Sequence, residues 1–518
     1  MAMTNTQKVA QSTAMIAIFT LISKFLGFLR EILIAYTYGS GYETDTYFLA
    51  MTATVMIMTT IGAALNTTLV PVFTEIDQKK GKEGKLKFLN NILNMVFFIS
   101  IILALLGFFL SPTIIKILAR GFEGKQFDLA VKLNRIGLPI VVFLGFTYVF
   151  SGYLHSSEIF GPPAIMGIPY NFVFIIFLIF FGNKGKIEGL MLASVIAAST
   201  QFLIQVPAIK YQGYSYRLDI DLGDPYLKKS LRLVIPVLIG SAVQQINIIV
   251  DKTLASSLVE GSISALTYAS RLNDLIISVF VMAITTVVFP MLSKAFNEEN
   301  HLQVNKIMGL GINIILLVTV PATIGMLLLA EPIVKIFFER GAFTETATTM
   351  TSQALIFYSL GLVAASLRIL LNRVYYSFQD TRSPMINGIT AVAANISLNL
   401  LFIDSMGHGG LALATSISTT FATFLLFINL RRRLGKIGLK RYLICFLKTL
   451  FASIVMGLFV YLIYFKLTPL LPSVWIIEFI MLLLSVAVGV IVYIIMCSAL
   501  QIKEMRILMG TLVSRIRP

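Results

Sequence analysis

The feature that most constrains this chain is a recurrence: apolar runs of about 20 residues follow one another from residue 13 to residue 500. Such a run matches the ~30 Å hydrocarbon core of a bilayer at the ~1.5 Å rise of a helix, and in lipid a helix satisfies all its own backbone N–H and C=O groups. A membrane barrel would instead show strands of about 10 residues alternating apolar with polar. With 57% hydrophobic and 13% charged residues, the chain has too little polar surface to coat a water-soluble globule. The reading is an all-α polytopic membrane protein of about fourteen transmembrane helices. They fall at about 13–36, 45–76, 88–117, 127–154, 162–182, 187–209, 230–257, 263–293, 305–337, 346–376, 384–403, 410–430, 441–466 and 474–500.

Forty-one Lys and Arg against 25 Asp and Glu give a net charge of +16, and the basic residues cluster between the apolar runs. Lys79, Lys80, Lys82, Lys85 and Lys87 follow the second run; Lys210, Arg217, Lys228, Lys229 and Arg232 follow the sixth; Arg431, Arg432, Arg433, Lys436, Lys440 and Arg441 follow the twelfth. All three clusters lie on the side of the termini, so the positive-inside rule places both termini in the cytoplasm and explains the basicity without a nucleic-acid partner. Arg120 and Lys125, after the third run, are the exceptions. The polar stretch 1–12 lacks a charged n-region and cleavage site, so the first run is read as a retained helix. Cys445 and Cys497 sit in apolar runs without metal or disulfide spacing. GxxxxGK[ST] and HExxH are absent, no GxSxG lies on a strand-to-helix turn, and His155, His301 and His408 are scattered. These absences argue against an ATP-driven pump and against most hydrolases. Short external loops poor in Asp argue against a metal-dependent membrane glycosyltransferase, and the expectation is a protein that is not an enzyme.

Residues 32–50, ILIAYTYGSGYETDTYFLA, resemble 253–270, TLASSLVEGSISALTYAS, and Thr67-Thr68-Leu69-Val70-Pro71 returns as Thr285-Thr286-Val287-Val288-Phe289-Pro290. The offset is close to 220 residues in both cases. Runs 1–6 and 7–12 therefore read as two copies of a six-helix unit, and because six is even the repeat is parallel. The expected architecture is an N-lobe (1–210), a cytoplasmic linker (211–229), a C-lobe (230–432) and two extra helices with a cytoplasmic tail (433–518), with a central cavity between the lobes. The extra pair is either an accessory surface for substrate or a further anchor.

Charge inside the apolar runs marks the candidate site, since a charge at mid-bilayer costs roughly 2.5–3.5 kcal/mol on insertion scales. Lys24, Arg30 and Glu31 lie within SKFLGFLREILIAYTYGSGYETD at 23–45. On a helix Lys24 and Glu31 are only about 20° apart, with Arg30 about 120° away. Two readings stand: a cationic wall for an anionic head group, or mutual neutralisation of Lys24 and Glu31 with Arg30 snorkelling to the interface. Asp45 serves either the site or, with Thr44, as a cap of the second run. Arg271 and Asp274, three apart on the eighth run, form a structural pair or a second polar wall. Asp251 on the seventh run, Asn395 and Asn399 on the eleventh and Thr415 on the twelfth offer oxygen ligands suited to a hard monovalent cation, or else hydrogen bonds between helices.

SKFLGFLRE, GSGYETDTYFLA, VDKTLASSLVEGSISALTYASRL, RGAFT at 340–344 and YYSFQDTRSP at 375–384 resemble the lipid II flippase MurJ family, over nearly the whole chain. That family lies within the superfamily of multidrug, oligosaccharide-lipid and polysaccharide exporters. The resemblance implies a flippase of the bacterial plasma membrane that carries lipid II, an undecaprenyl-pyrophosphate-linked disaccharide-pentapeptide, to the outer leaflet by alternating access. It further implies a monomer whose partners are that lipid and the membrane, with no nucleic acid. By the family's motifs Lys24, Arg30 and Arg271 meet the pyrophosphate, and Asp45 matches an acidic position. Asp251, Asn395, Asn399 and Thr415, with the Leu411 backbone oxygen, match a sodium site. The chain departs from the family in reading MTATVMIMTTIG where many members carry an Arg pair, in placing Lys24 where an Arg stands, and in Asn399 where some have Asp. Alternatives are a flippase for another lipid-linked polysaccharide, a cation-coupled drug exporter of the same superfamily, or a non-transporting scaffold for cell-wall synthesis.

Overall fold

The computed structural model describes residues 5–182, 185–435, 437–472 and 474–505. In chain order the α-helices are α1 (Asn5–Tyr38), α2 (Tyr42–Leu118), α3 (Gly124–Gly137), α4 (Pro139–Ser156), α5 (Gly161–Ile165), α6 (Gly167–Phe181), α7 (Ile187–Leu203), α8 (Val206–Tyr211) and α9 (Pro225–Ala255). They continue as α10 (Ser262–Ile276), α11 (Met282–Asn297), α12 (His301–Phe338), α13 (Glu345–Leu360), α14 (Leu362–Ser377), α15 (Arg382–Leu434), α16 (Leu439–Tyr461) and α17 (Trp475–Ala499), with a π-turn, Ile277–Val281, between α10 and α11. Among the described residues nine helical segments are long and apolar enough to cross a membrane. A tenth is added if α13 and α14, bent by 47° at their junction, count together. Large side chains such as Phe109 and Phe180 stand 73% and 70% exposed, as only a lipid-facing surface allows.

The 77 residues of α2 would make a rod of about 115 Å at 1.5 Å per residue, several times the bilayer core. The helix is broken at Gly81, whose φ of 65° and ψ of −171° lie where only glycine is unstrained. Lys85 closes this break: its ammonium, 2% exposed, donates to Asp77 Oδ2 (3.1 Å), Ser157 Oγ (2.8 Å) and Ser156 O (3.2 Å), and lies 5.0 Å from the centre of the Tyr153 ring. Three donors meet three acceptors, which is what a buried ammonium requires. α15 breaks in the same way at Gly407, φ 55°.

The chain divides into two compact units, Met1–Ser264 with Gly341–Phe343, and Ala265–Arg340 with Thr344–Pro518. In the first, α2, α4 and α9 enclose a core in which Phe73 meets Phe88 and Tyr153 edge-on at 5.3 and 5.5 Å. In the second, α11, α12, α14 and α15 pack around Tyr375, whose hydroxyl donates to Leu426 O (2.9 Å). α16 and α17 join α12 in a further core, where the Tyr493 hydroxyl donates to Leu317 O (2.7 Å).

Two Arg-Gly turns about 220 residues apart are seated alike. Gly121 N donates to Ser256 Oγ (3.3 Å) at the end of α9, and a Cβ at Gly121 would stand 2.2 Å from Ser256 O. Ala342 N donates to Tyr36 O (2.8 Å) near the end of α1, and a Cβ at Gly341 would stand 2.3 Å from that oxygen. Each turn needs glycine because it lies directly on backbone.

Candidate functional site

The charged patch of α1 is organised by α6. Asn171 Nδ2 donates to Ser23 O (3.1 Å) and to Gly167 O (2.8 Å), which fixes its oxygen toward α1. Close approach of the two helices depends on Gly167, where a Cβ would lie 2.1 Å from Ser23 Oγ. Arg30 then donates through Nη1 to Asn171 Oδ1 (3.1 Å) and through Nη2 to Glu31 Oε1 (2.6 Å). Its guanidinium lies over the rings of Tyr170 (5.5 Å) and Phe174 (5.1 Å). A cation among apolar neighbours is stabilised here by an ion pair, an amide and two ring faces. The Arg30 side chain keeps 17% of its surface exposed, against 4% for Glu31. A guanidinium has five N–H donors, and these two bonds use two, leaving three for an anion. Lys24 is exposed on the same helix.

Asp45 plays a role that neither sequence reading anticipates. α2 is capped by Gly41 without a side-chain bond, and the Asp45 carboxylate, 3% exposed, turns to the 259–264 segment. Oδ2 accepts from Gly261 N (2.8 Å), and Oδ1 accepts from Ser264 N (2.7 Å) and from the Ser264 hydroxyl. It therefore satisfies the first turn of α10 from across 216 residues of sequence, placing a negative charge at a helix N-terminus. Gly261, at φ 87°, makes the turn possible. Spacing alone could not have exposed this contact, because both partners look like ordinary turn residues.

Arg271 and Asp274 are both exposed on α10, one turn before the π-turn Ile277–Val281. Single π-turns inside helices concentrate at functional positions because they rotate the side chains that follow.

Of the cation-site residues, four come together within the second unit. Asn399 Nδ2 donates to Asn395 Oδ1 (2.9 Å), Asn395 Nδ2 to Thr415 Oγ1 (3.3 Å), and Thr415 Oγ1 to Leu411 O (3.0 Å). Asn395, Asn399 and Leu411 are buried. Asp251 belongs to the first unit, where Asn247 Nδ2 lies 3.3 Å from its Oδ2. The four residues of the second unit offer oxygen donors, the ligand type that suits a hard monovalent cation.

A bundle of long apolar helices with charge buried and partnered among them defines a class: polytopic helical membrane proteins. A solved multidrug-resistance MATE transporter in an inward-facing conformation has the same fold, with a TM-score of 0.69 over 81% of this chain and 98% of that one at 16% identity. Likeness is closer to a structure of the lipid II flippase MurJ in an inward closed conformation, with a TM-score of 0.78 and 28% identity over 94% of this chain and 98% of that one. A probable lipid II flippase MurJ of Rickettsia prowazekii is 31% identical over 425 residues, 80% of this chain and 83% of its own length. The lipid II flippase MurJ of Burkholderia cenocepacia is 27% identical over 80% of this chain and 82% of its own. The family model for the lipid II flippase MurJ matches residues 34–500, and the chain belongs to that family.

Proposed function

We propose that this protein flips lipid II across the bacterial inner membrane by alternating access, holding its pyrophosphate at Arg30. The observation that carries this reading is the Arg30 cluster: a cation held in a membrane helix by an amide, a carboxylate and two ring faces, with three N–H donors to spare. Phosphate oxygens take those donors in charge-assisted bonds, for which a planar guanidinium is better shaped than an ammonium. Lys24 on α1 and Arg271 on α10, both exposed, add positive charge, replacing the Arg pair that the second run lacks. Glu31 holds Arg30 when substrate is absent and competes with phosphate when it is present, which keeps binding weak enough for release.

The finer architecture belongs to the same proposal. α2 and α15, each broken at a positive-φ glycine, cross twice, and α1 and α9 also cross, which gives fourteen passages in two six-helix lobes, 1–210 and 230–432, around a cavity. The C-terminal pair in 433–518 offers its apolar surface to the polyprenyl tail. Both termini are cytoplasmic, and the working unit is a monomer in membrane lipid. Asp251, Asn395, Asn399, Thr415 and the Leu411 oxygen would hold a sodium ion, which supplies a compensating positive charge; membrane potential is the other source of drive.

Arg30→Ala in a strain that depends on this gene is the direct genetic test. The proposal expects loss of growth with the variant still present in the membrane, and normal growth with normal export of precursor would sink the pyrophosphate role.

A further inference from the structure

We infer that the first unit holds an anionic glycerophospholipid in a pocket beneath the 211–224 segment, away from the Arg30 cluster. This inference does not rest on the flippase reading. It starts from a cavity of about 580 Å³, the size of a ligand pocket (about 300–1,000 Å³), walled by Phe97, Phe146, Phe150 and Phe202 and rimmed by Lys210.

Three asparagines of α2 hold down the segment that roofs it. Asn90 Nδ2 donates to Ser215 O (3.1 Å), Asn91 Nδ2 to Asp221 O (2.9 Å), and Asn94 Nδ2 to Arg217 O (2.8 Å) and Asp219 O (3.0 Å). Their oxygens accept in return, Asn90 from Arg217 N (3.0 Å) and Asn91 from Asp221 N (3.0 Å). An irregular segment is thus tied to a helix by buried amides, an arrangement that fixes a loop where turn chemistry alone would not.

The two roof tyrosines spend their hydroxyls on the same ladder: Tyr214 OH donates to Asn90 Oδ1 (2.9 Å) and Tyr216 OH to Asn94 Oδ1 (2.8 Å). Their polar tips are therefore occupied and their rings are left for the cavity. What remains is an apolar slot with the exposed Lys210 ammonium as its one charged lining group, and among the described residues Lys210 forms no ion pair. Arg217, Lys228, Lys229 and Arg232 lie in the same segment together with Asp219, Asp221 and Asp224, and Lys229 is paired with Glu75. An apolar slot with a lysine ammonium at its rim matches an acyl chain carrying an anionic head group. A neutral apolar ligand would leave Lys210 without a role, and a soluble anion would leave the phenylalanine walls without one.

The test uses the full-length protein in nanodiscs containing phosphatidylglycerol with a photoactivatable diazirine in its acyl chain, with the phosphatidylcholine analogue in parallel. Crosslinked residues are located by mass spectrometry. Expected is labelling at Phe146, Phe150 or Phe202 that is about fivefold higher with phosphatidylglycerol. It should fall about fivefold in Lys210→Glu, a substitution of an exposed residue, and in Val206→Trp, which fills the cavity. Equal yields from the two lipids, yields unchanged in Lys210→Glu, or labelling confined to lipid-facing positions such as Phe180 would overturn the inference. No lipid II transport is read, so failure here and failure of the proposed function are distinguishable.

Discussion

Arg30 and Glu31 are neighbours in sequence, and on an ideal helix their side chains diverge by about 100°. They meet at 2.6 Å because Asn171, Tyr170 and Phe174 leave the guanidinium one favourable place to lie. Arg30→Lys keeps the charge but loses the fork, and a loss of one charge-assisted bond predicts transport slowed at least about tenfold, roughly 1.4 kcal/mol. Glu31→Gln removes the competitor: lipid II should be retained longer and turned over more slowly, measurable as a lower KM with a lower kcat in a flipping assay. Asp45→Ala strands two backbone N–H donors and a hydroxyl at the start of α10, predicting a loss of about 3 kcal/mol, read as a lower melting temperature in detergent. At this scale the sequence showed where charge enters the apolar runs. Charge in an apolar run was visible at Lys24, Arg30, Glu31 and Arg271, whereas the partners Asn171 and Ser264 were not, because neither breaks the local pattern and both are distant in sequence.

Among the elements, the α2 hairpin was legible as two runs and a basic loop, yet Lys85 looked like one more solvated lysine. Its burial follows from Gly81: once the chain reverses there, Lys85 falls against Asp77 and the end of α4. Lys85→Met should cost about 2 kcal/mol, less than the ~3–5 kcal/mol of a fully buried broken pair because Asp77 is 43% exposed, and thermal unfolding would report it. A second device fastens the C-terminus. Glu504 Oε1 accepts from Asn313 Nδ2 and from Arg441 Nη2, both at 2.7 Å. Burial alone would raise the Glu504 carboxyl, but these two bonds outweigh it and hold the pKa below the ordinary glutamate range. A depressed carboxylate contributes stability that is present above the unfolded pKa, about 4.3, and is lost as pH falls through the folded value. Hydrogen exchange around 500–505 should therefore rise on acidification below about pH 4.3 and lose that pH dependence in Glu504→Gln.

For the whole molecule, the spacing of about 220 residues that relates 32–50 to 253–270 also separates two turns that are seated alike. The Arg-Gly turns at 120–121 and 340–341 rest on the ends of α9 and α1, and a Cβ at either glycine would collide with backbone at 2.2 or 2.3 Å. Apolar periodicity identified the helical membrane class readily, because lipid forces the backbone into helices whatever the side chains do. The same uniformity hid where helices bend, since Gly81 and Gly407 are two glycines among 35. The central claim is that this chain moves lipid II with Arg30 gripping the pyrophosphate. Its most direct measurement is leaflet transfer of labelled lipid II in vesicles containing the purified protein, with Arg30→Gln alongside. The account predicts transfer by the native protein and its loss, by at least about tenfold, in Arg30→Gln at equal reconstitution. Equal transfer by both, or none by either in vesicles that carry a membrane potential and a sodium gradient, would contradict it.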